Sequence, residues 1–379
     1  MALAAQECLG ENLERGFLIT KDQHLGESPG TFQRFTLREA SHPVPNRAGV
    51  EATRELLGWL ESPSPSTQAL VLLSGGASSL LVAPTPPLGL KDLGHLNTQL
   101  LRSGLPIEKM NVLRKHLSRV KGGQLSEHFA NYQNLMQLVM VDICAPQLAE
   151  HEVLSMVGSG PCCADPTTMG QAGEILEALR PNLPEELARK TEAALAETPK
   201  QTRFESLVVA DYRTLAAVAR ELLGPSATQH PDWKSEVLGE VRQVAAEFAA
   251  VARDMKERGQ RGVLIASGEP TVEIGAERPG RGGRCQELAL WFAREVAGLE
   301  GVELLAGSSD GTDGPTHDAG AQVDGETWPR LAEQVGRETA EAMLRGHDSG
   351  SALAKLPGAL LTIGPTGQNL NDLYLLKVE

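Results

Sequence analysis

Residues suited to handling anionic groups gather at a few points in this sequence, mostly just after a run of apolar residues. After ALVLL comes Ser74-Gly75-Gly76-Ala77-Ser78-Ser79. Glycines let backbone N–H groups approach an anion, and serine hydroxyls add donors. A tight strand-to-helix turn would use the same residues. A second point is the basic stretch 108–124, where Lys109, Arg114, Lys115, Arg119 and Lys121 face the single acid Glu108. If it is helical through Val120, Met110, Leu113, Leu117 and Val120 form an apolar stripe. Asn111, Arg114, Ser118 and Lys121 then form a second stripe about 100° round the axis, and Gly122-Gly123 ends the helix. The polar stripe would line a cleft or simply be solvated.

Two further loops follow apolar strands. In 267–287, Gly280-Arg281-Gly282-Gly283-Arg284 opens a helix after a hairpin-like excursion. A helix N-terminus behind glycines offers free N–H groups to phosphate, and Arg284 in its first turn can clamp oxygens in bidentate fashion. In GSSDGTDGPTHD (307–318), Asp310 and Asp313 stand three apart. Such carboxylates hold Mg²⁺ or accept a hydroxyl proton, or they simply make Asx turns. A last glycine-rich loop, Gly364–Asp372, also follows a strand. His42 and His116 lie near these motifs as lone histidines, and Cys285 reads as a packing residue. A G-x-x-x-x-G-K-[ST] loop and a dinucleotide fingerprint are both missing from the sequence.

The elements that must position these loops alternate. Strands are expected at 17–20, 69–73, 135–142, 206–210, 262–267, 302–306, 359–363 and 373–378. Helices are expected at about 47–60, 90–102, 106–120, 171–180, 184–196, 212–223, 236–258, 285–298 and 328–345. Apolar strands interleaved with helices predict α/β architecture with a mainly parallel sheet. A length of 379 residues predicts two domains, divided at the polar, Pro-containing stretch 224–237: residues 1–235 larger, 236–379 smaller. The net charge of −14 disfavours nucleic-acid or anionic-membrane partners, so any anion site must be built locally. Five cysteines without C-x-x-C spacing, with no secretory start and no membrane-length apolar run, point to the cytoplasm.

Taken in order, these segments resemble the type-2 glycerate kinase family, whose carboxyl-terminal part is the MOFRL domain. The resemblance rests on HPVPN (42–46), SGGASSLL (74–81), MNVLRKHLSRVKGGQL (110–125) and SGP with Asp165 (159–165). It continues through GEPTV (268–272), GRGGRCQELAL (280–290), SDGTDGPTHDAGAQVD (309–324) and GPTGQNLND (364–372). It implies a Rossmann-like larger domain, a smaller α/β domain and an active site in the interdomain cleft, with ATP- and Mg²⁺-dependent phosphorylation of D-glycerate, usually to 2-phosphoglycerate. Ser74, Gly75, Gly76 and Ser78 would lie near substrate or phosphate, with Asn111, Gly282 and Gly283 as further binding residues. Arg114, Lys121 and Arg284 would neutralise charge, Asp310 and Asp313 would serve metal or hydroxyl, and Asn369 and Asp372 would border the nucleotide. A homodimer is the assembly considered.

The sequence departs from the family at several points. The resemblance begins after the family's first strand, whose Gly-Lys-Ala turn sends a lysine into the active site. Ser-Gly-Gly-Gly-Ser reads SGGASS, an expected Asn is Cys285, Asn-Asp-Ser reads His347-Asp348-Ser349, and the VDICAP segment keeps only Asp142 of its motif. The missing lysine turn makes a truncated, non-catalytic nucleotide- or glycerate-binding homologue one alternative; the other is a hydroxypyruvate reductase-type oxidoreductase, a label that members of the family have carried.

Overall fold

The computed structural model describes residues 1–22, 31–61, 63–64, 66–275 and 278–379. The chain forms two compact units, Met1–Met140 with Gln147–Val209, and Val141–Pro146 with Ala210–Glu379. Helix Tyr212–Leu223 thus belongs to the second unit, ahead of the expected 235/236 boundary. Its apolar face explains this, because Ala216 and Ala219 pack with Ile265 of the second sheet.

Among the described residues of the first unit, strands β1 (Gly16–Lys21) and β2 (Phe35–Ala40) pair in parallel. Strands β3 (Gln68–Leu73), β4 (Gln133–Met140) and β5 (Glu205–Ala210) form a second sheet in that order, with β3 and β4 parallel. Helix Arg47–Leu60 starts where Asn46 accepts the Gly49 N–H at 3.1 Å, an N-cap that satisfies one of the orphan donors. Its apolar face puts Leu57 and Leu60 in a core with Val120, Phe129 and Phe204.

The second unit carries β6 (Glu236–Val237), β7 (Gly262–Gly268), β8 (Val302–Ser308), β9 (Gly320–Asp324), β10 (Leu360–Leu361) and β11 (Asp372–Val378). The sheet order is β10-β9-β8-β11-β7-β6. Among the described strands β6 and β7 pair in parallel, and the other pairings are antiparallel. Strand β11 lies between β7 and β8 and runs against both, so Asp372 pairs with Gly268 on one side and Ser308 on the other. The start of β11 therefore meets the loops that leave β7 and β8 at one sheet edge. Leu264, Leu304, Tyr374 and Leu376 are fully buried with Leu288 and Phe292 of helix Arg284–Glu295. Each such side chain contributes about 1.5–3 kcal/mol of transfer free energy.

Three expectations change. The helix from 107 stops at His116, and Leu117 to Gly123 turn back along the chain. Arg119 N–H donates to Ala83 O at 2.8 Å and Thr85 N–H to Leu117 O at 3.0 Å, giving this backbone partners outside a helix. The stretch 236–258 divides into β6 and helix Val241–Glu257, and 328–345 breaks at Gly336, φ +86°. Residues 276 and 277 of the expected excursion lie outside the described residues.

Candidate active site

In the first unit the cluster grows from β3. Gly76 takes φ +81° at the start of the short helix Ala77–Leu80, and a Cβ there would stand 3.0 Å from His42 Cδ2. The tight-turn reading therefore holds for Gly76. Ser74 is exposed, with Gly75 beside it half-buried. Ser78 does more than turn the chain. Lys121 Nζ donates to Ser78 O at 2.6 Å and lies 2.9 Å from Ser78 Oγ, which sits 3.0 Å from Ser159 Oγ.

Arg114 lies nearby on helix Ile107–His116. Its Nε donates to Asn97 Oδ1 at 3.0 Å and its NH1 to Asn111 Oδ1 at 3.2 Å. Among the described residues neither Arg114 nor Lys121 has a carboxylate partner within 4.0 Å, so both half-buried cations rest on neutral groups. Burial lowers the Arg114 pKa, and burial, then the Arg114 charge, brings Lys121 to about 7.

The histidine and acid next to this cluster are structural. Asp165 is fully buried, with Lys115 Nζ at 3.4 Å, and accepts the Thr167 hydroxyl at 2.9 Å. His116, also fully buried, bonds to Ala196 O at 2.7 Å and to Thr167 Oγ1 at 3.2 Å.

The second unit's cluster sits at the edge fixed by β11. Arg284 donates through Nε to Asp372 Oδ2 at 2.5 Å, through NH2 to Asp372 Oδ1 at 3.0 Å, and through NH1 to Glu269 Oε1 at 2.7 Å. Tyr374 OH donates to the same Asp372 at 3.0 Å. Burial opposes the Arg284 charge, yet the two carboxylates hold its pKa above the ordinary value. Burial raises Glu269, with Arg284 pulling it down and Asp372 pushing it up. The bidentate face of Arg284 is filled by Asp372, leaving two of its five N–H donors for other groups. Asp372 is fully buried as that partner.

The expected phosphate cradle is likewise filled from within. Gly283 precedes helix Arg284–Glu295 without a side-chain cap of its own. Asp313 supplies one from the loop after β8, accepting Cys285 N–H at 3.1 Å and Gln286 N–H at 2.8 Å. A Cβ on Gly283 would fall 2.3 Å from Asp313, and one on Gly282 would fall 2.2 Å from Ser349 Oγ. Gly282 and Gly283 thus lie in close packing that a side chain would break. Both Asp313 oxygens accept these bonds, and burial pushes its carboxyl up to about 7 against those donors. Among the described residues no three His, Cys, Asp or Glu side chains stand where they could hold a metal ion. Asp310 makes the Asx turn, its Oδ1 accepting Thr312 N–H at 2.8 Å and the Ser308 hydroxyl at 3.0 Å. Its Oδ2 has no hydrogen-bond partner among the described residues. Cys285 is fully buried and burial raises its thiol, as a packing residue requires.

Loop 364–371 closes this edge. Asn369 Oδ1 accepts Asn371 N–H at 3.0 Å, and Asn371, at φ +65° and buried, donates to Asp142 O at 2.8 Å and Glu269 Oε2 at 2.9 Å. Glu269, Asn371, Asn97 and Ser159 were not singled out from the sequence. Glu269 stands in GEPTV, Asn371 in NLND and Ser159 in SGP, so membership of those segments was the available signal. Asn97, on an ordinary amphipathic helix, gave none.

Residues 1–195 match the domain of unknown function DUF4147, and residues 262–372 match the MOFRL family. The chain is 35% identical to a D-glycerate 2-kinase of Thermotoga maritima, over 99% of this chain and 87% of that one. It is 36% identical to an Agrobacterium vitis protein that carries a hydroxypyruvate reductase name, over 91% of this chain and 78% of that one. A crystal structure of glycerate kinase from Thermotoga maritima superposes with a TM-score of 0.86 at 34% identity, covering 100% of this chain and 88% of that one. The chain belongs to the glycerate 2-kinase (MOFRL) family.

Proposed function

We propose that this chain transfers the γ-phosphoryl group of ATP to D-glycerate, forming 2-phosphoglycerate. One observation carries the reading: the half-buried Arg114 and Lys121 side chains are held by Asn97, Asn111 and Ser78, with no carboxylate partner among the described residues. The glycerate carboxylate or a transferring phosphate would complete such a site. Ser74 and the N–H groups around Gly75 and Gly76 add neutral donors beside it. Arg284, oriented by Asp372 and Glu269, would turn its two remaining N–H donors to phosphoryl oxygen, and the Asn369 side-chain N–H₂ would border the nucleotide.

Catalysis of this kind is mostly positioning and charge stabilisation. The free Oδ2 of Asp310 fits one contact to Mg²⁺, an ion commonly bound through one or two carboxylates plus substrate phosphates. When bound there, Mg²⁺ supplies charge neutralisation across the phosphate chain. Among the described residues no helix is long and apolar enough to cross a membrane, and the cysteines are free. Free thiols fit a reducing compartment, and we place the reaction in the cytoplasm.

The test is ADP formation from ATP, Mg²⁺ and D-glycerate, with ³¹P NMR of the product to locate the phosphate. Oxidation of NADH by hydroxypyruvate, without glycerate-dependent ADP formation, would overturn the reading.

A further inference from the structure

Three side chains from three segments meet in the first unit in an order that suits proton transfer. Ser78 is half-buried on the loop after β3, and Lys121 Nζ contacts both its carbonyl and its hydroxyl, at 2.6 and 2.9 Å. Ser159 Oγ, at 3.0 Å, completes the row. Ser159 is only 2% exposed and adopts φ +65°, between Gly158 at +58° and Gly160 at +59°. A serine in this region is uncommon and persists where its surroundings over-determine it. Here Gly122 N–H donates to Ser159 O and Gly123 N–H to Gly160 O, each at 2.8 Å. Those bonds tie the segment to the very turn that carries Lys121.

An ordinary lysine is charged at neutral pH and has no lone pair to offer. Lys121 differs because burial, and then Arg114, bring its pKa to about 7. Arg114 faces it from helix Ile107–His116, and no acid lies within ion-pair distance among the described residues. Lys115, Asp165 and His116 beyond Gly122 are engaged with one another and with Thr167. A neutral Lys121 donates to Ser78 O, which can only accept, and presents its lone pair to the Ser78 hydroxyl.

We infer that Ser78 and Lys121 are the proton acceptor of the phosphorylation, with Ser159 a positioning residue that aims the Ser78 hydroxyl, an assignment that rests on the glycerate kinase reading. As the substrate oxygen forms its bond to the γ-phosphorus, its O–H bond breaks and the electron pair stays on that oxygen. The proton passes to Ser78 Oγ while the proton of Ser78 passes to Lys121 Nζ. The bond from phosphorus to the ADP oxygen breaks, and ADP leaves with that electron pair. Lys121 ends as an ammonium beside the new phosphate and returns its proton to water after release.

The experiment measures kcat and KM for D-glycerate from pH 5.5 to 9 in the wild type and in Lys121→Arg, Lys121→Ala and Ser159→Ala. The wild-type rate should rise with pH to a plateau above about 7. Lys121→Arg should lose roughly 1,000-fold in kcat, a loss within the range of general acid–base contributions, together with that acidic limb. Methylamine should restore part of the Lys121→Ala rate. Ser159→Ala should lower kcat about tenfold with KM nearly unchanged and, unlike a loss of folded enzyme, should also shift the acidic limb of the kcat profile. Should the lysine variants fail to fold, the wild type, reductively ¹³C-methylated, should show a lysine resonance titrating near 7; its absence overturns the assignment. A Lys121→Arg enzyme with wild-type kcat and an unchanged profile also overturns it, leaving the kinase reading intact. A folded wild type that forms no phosphoglycerate at any pH overturns both.

Discussion

Arg284 and Asp372 form a bidentate ion pair in which two guanidinium nitrogens meet two carboxylate oxygens at 2.5 and 3.0 Å. Asp372 is fully buried, while the Arg284 side chain keeps 28% exposure. Breaking a buried pair from one side costs about 3–5 kcal/mol, and the partial exposure puts this one at the lower end. Asp372→Ala should therefore lose about 3 kcal/mol in a urea unfolding curve. A loss under 1 kcal/mol would show that the pair carries little weight.

Arg284→Lys keeps the charge and loses the fork, since an ammonium cannot span both oxygens of Asp372 and still reach Glu269. Glycerate-dependent ADP formation should fall about 100-fold, the scale of removing one preorganised donor. Near-normal turnover in this variant would exclude Arg284 from the chemistry.

Asp313 gives a pH signature of the folded state. Burial lifts its carboxyl from the ordinary range to about 7, so between roughly pH 4 and 7 the folded chain holds a proton that the unfolded chain has released. Its contribution to unfolding free energy must fall as pH rises through that window. Asp313→Asn should flatten this slope, measured by thermal unfolding at pH 4.5 and 7. An identical slope in the variant would place the proton elsewhere.

Lys121 has the opposite sign. Its folded pKa of about 7 lies below the unfolded value, so between about pH 7 and 10 the unfolded chain binds the extra proton and stability rises with pH. Lys121→Met should raise Tm at pH 7 and give no gain near pH 10. An equal gain at both values would mean that Lys121 is not desolvated.

Tyr374→Phe removes a donor to Asp372 without changing shape. The expected cost is about 1 kcal/mol by denaturant unfolding, the usual scale for a buried hydrogen bond.

How much of this was legible in the sequence depended on whether the signal was local. Helices Arg47–Leu60, Leu90–Arg102 and Tyr212–Leu223 match their amphipathic spans, because their faces and caps are written in consecutive residues. The strands that carry FLIT, ALVLL and GVLIAS match their apolar runs. Strands β2, β6 and β9 were missed, since FTLREA, EV and GAQVD owe their pairing to neighbours rather than to apolar content. In the candidate site, Ser78, Arg114 and Lys121 were identified by residue type, and the structure brings Lys121 to Ser78. Arg114 and Lys121 were placed on one helical stripe, but Lys121 reaches its position from the turn after His116 instead. That the first turn of helix Arg284–Glu295 receives Asp313 rather than an open ligand site was not visible, because a cap supplied from 28 residues away leaves no local pattern.

The order of strands in the second sheet has a consequence for synthesis. Strand β11 separates β7 from β8 but leaves the ribosome after both. Until it arrives, β7 and β8 each present an unpaired edge, the kind of surface that pairs with other chains. Nascent second units should therefore be the form of this protein most exposed to aggregation and chaperone capture. The Arg284–Asp372 pair also cannot close before that insertion, so its carboxylate-locked arginine is completed only once β11 has emerged.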